Sequence, residues 1–106
     1  MQTTVDTDER GVTRLLVAGE IDMQVAPRLS EAIGELLRDG HDRVVVDLSG
    51  VTFLDSSGLA SLVHGYHQAK DGRATYRVSG AHGIVLRVLD VSGVAELLLK
   101  GTVAGR

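Results

Sequence analysis

The chain is 106 residues long, carries a net charge of −3 at pH 7, and is 43% apolar and 24% charged. That size and balance suit one hydrophobic core with no room for a second, so residues 1–106 are read as a single domain. They exclude a disordered chain and a membrane-embedded bundle. No apolar run approaches the roughly 20 residues of a membrane span, and Met1-Gln2-Thr3-Thr4 has neither the basic flank nor the apolar stretch of a secretory leader. A cytoplasmic location is expected.

There is no cysteine, which removes disulfides, thiol nucleophiles and Cys-type zinc sites. Acidic and basic residues are interspersed, and Phe53, Tyr66 and Tyr76 are the whole aromatic complement. Nothing here resembles a basic stripe or a base-stacking platform, so direct contact with nucleic acid is not expected.

In chain order, Thr3 to Thr7 is strand-prone, Asp8-Glu9-Arg10-Gly11 is a polar turn, and Val12 to Ala18 is a second strand; together they read as an antiparallel hairpin. Gly19-Glu20-Ile21-Asp22 reads as a connection. A helix then starts near Pro27, a residue suited to the first helical position. Leu29, Ala32, Ile33, Leu36 and Leu37 recur at helical spacing and Gly40 is its stop. Gly34 inside it costs about 1 kcal/mol relative to Ala, so tertiary packing must hold this helix. Arg43 to Leu48 is a strand apolar enough to be buried on both faces. A second helix begins around Ser56-Ser57-Gly58, with Leu59, Leu62, Val63, Tyr66 and Ala69 as its apolar stripe, and ends at Asp71-Gly72. Ala74 to Val78 is a strand, Ile84 to Leu89 a third helix stopped by Ser92-Gly93, and Glu96 to Leu99 a short last strand. The sum is a small α/β domain: a mixed, mostly parallel sheet of four to five strands, an N-terminal antiparallel hairpin and about three helices.

Parallel strands bring their C-terminal ends to one edge of the sheet, where ligand and partner sites gather in α/β folds. Three connections are expected there: Gly19 to Asp22, Val51 to Ser57, and Ser79 to His82. Asp22, Asp55, Ser56 and Ser57 are thereby drawn together. Asp55-Ser56-Ser57-Gly58 opens a helix, where Ser and Asp side chains cap free N–H groups. The same helix start accommodates a phosphate, and a phosphoserine beside Asp55 would add about 1.5 to 2 negative charges. On the residues alone, plain helix capping and a phosphoswitch both remain open, with capping the commoner use of such serines.

The run Val44 to Leu59, VVVDLSGVTFLDSSGL, resembles the signature of the STAS domain, in particular of the bacterial anti-sigma factor antagonists. Gly19-Glu20-Ile21-Asp22 is similar to the family's Gly-Glu-hydrophobic-Asp after its second strand. Val88 to Val94 is similar to its late helix ending in Ser-Gly. The resemblance implies a non-catalytic module with no cofactor. Unphosphorylated, such a module binds an anti-sigma factor that is itself a serine kinase, and so frees the sigma factor; phosphorylation breaks the complex and a PP2C-type phosphatase restores it. By motif position the acceptor is Ser56, with Ser57 as the secondary candidate. Asp22, Asp55, Ser57, Gly58, Ser61 and His64, with Gly65, are expected on the partner-facing side. Family members usually continue past the last strand into a further helix, whereas this chain stops at Arg106, so one edge of the core is expected either to be less covered or to pair with something there. The alternative use of the same fold is a scaffold or accessory subunit, in a stress-signalling assembly or beside a transporter, the latter being the one case that involves a membrane.

Other chemistries have little support. His64 and His67 lie three apart on a helix but lack a third ligand nearby, so metal binding is not expected. His41 is read as solvated. His82 can approach Ser56 at the sheet edge, but Gly-x-Ser-x-Gly is missing and a hydrolase pocket is not expected. Neither Gly-x-Gly-x-x-Gly nor a P-loop occurs, and the Asp6-Thr7-Asp8-Glu9 run is a solvated turn.

Overall fold

The computed structural model describes residues 1–102. The elements run β1 (Gln2–Thr7), β2 (Thr13–Ile21), α1 (Ala26–Arg38), β3 (Arg43–Leu54), α2 (Ser56–Asp71), β4 (Thr75–Ser79), α3 (Gly83–Val91) and α4 (Ala95–Lys100). The four strands form one sheet in the order β1-β2-β3-β4. β1 pairs antiparallel with β2, and β2, β3 and β4 are parallel. The expected hairpin and parallel crossovers are therefore present, with four strands and four helices.

Alternation along each strand decides where the core lies. Leu15 and Val17 of β2, Val44, Val46 and Leu48 of β3, and Tyr76 and Val78 of β4 are buried in one cluster. Leu29, Ile33 and Leu36 of α1, Leu62 and Ala69 of α2, Val85 and Leu89 of α3, and Leu98 of α4 complete it. All four helices thus cover one face of the sheet, a two-layer arrangement. On the other face Arg14 and Arg77 are exposed, Leu16, Ala18 and Asp47 are half-buried, and only Val45, in register between the two arginines, is buried.

Four sequence expectations are corrected. Gly19 to Ile21 and Val51 to Leu54 are strand, not connection. β3 runs through Ser49-Gly50 because the pair is a strand irregularity rather than a turn. The ladder to β2 shifts between Leu16 and Ala18, and a Cβ on Gly50 would lie 2.9 Å from Ala18 Cβ and 3.2 Å from Val17 O. Glu96 to Leu99 is helix, not strand, because Leu98 turns fully into the core. After it, Thr102 N–H donates to Tyr76 O at 2.9 Å. The Thr102 hydroxyl accepts from Tyr76 N at 2.8 Å and donates to Ala74 O at 2.7 Å. That clamp covers part of the β4 edge. His41, finally, is half-buried and not simply solvated: its Nδ1 hydrogen-bonds the hydroxyl of buried Thr13 at 2.8 Å.

α2 is seated by small residues. Its buried positions are Gly58, Ser61, Leu62, Gly65 and Ala69, while Leu59, Val63 and Tyr66 of the expected stripe are half-buried on its flanks. A Cβ on Gly58 would collide with Leu54 Cδ1 and lie 2.8 Å from Ile21 Cγ2. One on Gly65 would lie 2.8 Å from the Tyr76 hydroxyl oxygen. Ser61 hydrogen-bonds Ala26 O at 3.0 Å and Ser57 O at 3.2 Å, tying α2 to the start of α1. Tyr76 donates its phenol to Leu62 O at 2.8 Å, and burial pushes that phenol's pKa far up.

Candidate functional site

The last register pair between β2 and β3 is Ile21 with Leu54. The next residues, Asp22 and Asp55, therefore leave the sheet side by side. Each carboxylate closes the turn behind it. Asp22 Oδ1 accepts from Gln24 N at 2.9 Å and Val25 N at 3.2 Å, and Asp22 O accepts from Val25 N and Ala26 N. Asp55, with extended backbone, is the N-cap of α2: its Oδ1 accepts from Ser57 N at 2.9 Å and Gly58 N at 3.1 Å. Asp55 N in turn donates to Ile21 O at 3.2 Å, binding the two strand ends together.

Asp55 thus takes the capping role, and Ser56 is left over. It is the first residue of α2, it is exposed, and its hydroxyl makes no hydrogen bond among the described residues. Ser57 is half-buried. The two N–H groups that would have cradled a phosphate at this helix start, those of Ser57 and Gly58, are already held by Asp55. The charged side chains in the segments meeting here, Glu20, Asp22 and Asp55, are all acidic, so added negative charge would meet repulsion in place of an ion pair.

Of the other expected partner-facing residues, only His64 is exposed on α2. Gly58, Ser61 and Gly65 are buried, the first and last by close packing and Ser61 by its bonds to α1. They position the loop rather than present a surface, which corrects their expected exposure. Two apolar side chains were overlooked. Met23, next to Asp22, is 72% exposed, and Phe53, two residues before Asp55, is 41% exposed.

The third connection does not reach this edge. β4 ends at Ser79, level with Asp47, well short of Leu54, where β3 ends. His82 instead places Nε2 2.9 Å from Ser49 O, so it hydrogen-bonds mid-strand backbone and does not serve as a base for Ser56. Beneath it, Asp47 Oδ1 accepts from Ser49 Oγ at 2.6 Å and Ser49 N at 2.9 Å. The Ser49 hydroxyl bond, followed by its amide, holds the Asp47 carboxyl below the usual carboxylate range. Among the described residues no group of three or more His, Cys, Asp or Glu is placed to hold a metal ion, and no helix is long and apolar enough to cross a membrane.

Known proteins share this architecture. Residues 5–100 match the family described as Mlab, STAS domain. Over 60 residues the chain is 47% identical to the anti-sigma-F factor antagonist RsfB of Mycobacterium tuberculosis. That stretch covers 57% of this chain and 49% of RsfB, so the chain spans about half the length of this curated relative. The crystal structure of an anti-sigma factor antagonist from Mycobacterium paratuberculosis matches with a TM-score of 0.79 at 35% identity, over 90% of this chain and 80% of that one. The Bacillus cell fate determinant SpoIIAA in its phosphorylated form shares the fold at 14% identity, with a TM-score of 0.70 over 90% of this chain and 86% of that one. The chain belongs to the STAS domain family.

Proposed function

We propose that the protein is a non-catalytic antagonist of an anti-sigma factor, switched at Ser56. In its unmodified form the loop edge of Asp22, Met23, Phe53, Asp55 and Ser56, continued by His64 on α2, binds an anti-sigma factor that is also a serine kinase. Ser57 backs this loop as the secondary phosphate acceptor. Transfer of the γ-phosphoryl group of ATP to Ser56 Oγ, with loss of the hydroxyl proton and release of ADP, ends that binding. A PP2C-type phosphatase hydrolyses the phosphoserine and restores it. The observation that carries this reading is the division of labour at the start of α2: Asp55 caps the helix, and Ser56 keeps an exposed hydroxyl with no structural task. Family membership supports it, as does the existence of SpoIIAA, a protein of the same fold, in a phosphorylated form. The acidic surroundings supply a reason for phosphate to weaken a contact made through Met23 and Phe53, since a desolvated apolar contact tolerates an unpaired charge poorly.

The test is peptide-level mass spectrometry of the protein from its host, joined to affinity measurements with the kinase that co-purifies. Phosphate on Ser56, full binding by Ser56→Ala and binding weakened at least about tenfold, or 1.4 kcal/mol, by Ser56→Asp are expected. Phosphate confined to Ser57 would move the switch by one residue. Absence of phosphate, with a large assembly or a membrane protein co-purifying instead of a small ATP-binding kinase, would replace this reading with that of an accessory subunit.

A further inference from the structure

We propose that the outer edge of β1 is a self-pairing surface, through which two copies of this chain join their sheets into one. β1 closes the sheet on one side, and all six of its residues are exposed. Its sequence, Gln2-Thr3-Thr4-Val5-Asp6-Thr7, contains neither the proline nor the lysine that commonly blunts such an edge. The opposite edge of the sheet differs, because Thr102 already clamps β4 there.

The hairpin fixes which backbone groups are free. Asp8 N–H donates across it to Val12 O at 3.0 Å, and hydrogen-bonded and non-bonded pairs alternate along an antiparallel ladder. Gln2, Thr4 and Asp6 therefore turn their N–H and C=O toward β2, and Thr3, Val5 and Thr7 turn theirs outward. The Thr7 and Thr13 hydroxyls, 3.2 Å apart, fit the close side-chain approach of a non-bonded pair. A second copy placed antiparallel about a two-fold axis at Val5 pairs Val5 with Val5, Thr3 with Thr7 and Thr7 with Thr3. This is the register in which every outward group of both strands finds a partner.

The side chains agree with that register. Val5 is 50% exposed, the largest apolar side chain on the strand, and sits on the axis against its own copy. On the other face Thr4 opposes Asp6 of the second copy, so no like charges lie directly opposite. The two Asp6 carboxylates are diagonal neighbours, each beside its own cross-strand Arg14. The two helical layers then lie on the same side of the joined sheet. A single six-residue strand from each copy makes a small interface, at the weak, reversible end of the size range, and screening of the Asp6 pair means that added salt tightens it.

Sedimentation velocity of the full chain over micromolar to millimolar concentration tests this. A reversible dimer is expected, strengthened by salt, and weakened about tenfold or more by Val5→Lys, which sets like charges opposite each other on the axis. Val5→Pro is expected to act likewise, because it deletes an outward N–H that the monomer does not use; Thr4→Pro would delete one that β2 needs. Circular dichroism checks that each variant is folded, and Val5→Lys decides if Val5→Pro is not. Since the chain has no cysteine, Val5→Cys should oxidise to a linked dimer about tenfold faster than Thr4→Cys, whose sulfur faces Asp6 of the second copy. A wild-type chain that stays monomeric at millimolar concentration overturns the proposal, as does a dimer unmoved by both Val5 variants or equal oxidation rates for the two cysteines.

Discussion

Asp22 and Asp55 stand at the ends of neighbouring parallel strands and make the same kind of turn, yet the residues after them differ. After Asp55 comes Ser56 at the first position of a regular helix, then Gly58, a glycine without which α2 would strike Leu54 and Ile21. After Asp22 comes Met23, exposed and apolar, and a helix capped by no side chain of its own N-cap residue, Val25. Asp22 O nonetheless collects Val25 N–H and Ala26 N–H, so that turn holds through backbone as well as carboxylate. One turn leaves an exposed hydroxyl at the first position of its helix, and the other leaves an exposed apolar side chain before its helix begins.

That contrast can be broken at several points. The largest effect is expected from Gly58→Ala. The added methyl overpacks the seam between α2 and the two strand ends, costing about 1–3 kcal/mol in urea denaturation despite the better helix propensity of Ala. Next comes Asp55→Ala, which removes both bonds of the α2 cap and costs about 0.5–2 kcal/mol. Asp22→Ala should cost less, because Val25 N–H keeps its bond to Asp22 O, whereas Ser57 N–H and Gly58 N–H have only the Asp55 carboxylate as acceptor among the described residues, and equal losses would show the two turns to be equivalent after all. Asp47 gives a smaller, pH-dependent effect. Its folded-state pKa is lowered, so its contribution is complete above the unfolded-state value of about 4 and is lost as pH falls through the folded one. The stability gap between wild type and Asp47→Asn should accordingly close on acidification, and a gap independent of pH would remove that role. Smallest of all is Ser56→Ala, expected to stay within about 0.5 kcal/mol of wild type because Ser56 caps nothing. A loss nearer about 2 kcal/mol, the upper end for a true cap, would make Ser56 structural and undo the separation of roles.

Strand and helix periodicity made the sheet's composition and the order of its connections legible in the sequence, and the pairing of Asp22 with Asp55 came from the parallel topology. The sequence reading ends this strand at Leu48, and only the closeness of Ala18 explains a glycine further along it, at Gly50. The Glu96 to Leu99 run is too short for periodicity to separate helix from strand, and the burial of Leu98 settled it. On α2 the large apolar residues drew attention, although of them only Leu62 is buried and the rest of the buried line is Gly58, Ser61, Gly65 and Ala69, small residues at helical spacing. The question of which side chain caps the helix could not be decided from Asp-Ser-Ser, since each of the three is a competent cap.

The seat of α2 also bears on how a signal leaves this domain. A helix pressed onto Leu54, Ile21 and the Tyr76 ring through glycine contacts is closely seated at both its first and its third turn. On the function proposed above, a phosphate at Ser56 would act on the surface where it is placed, without a rearrangement travelling through the protein.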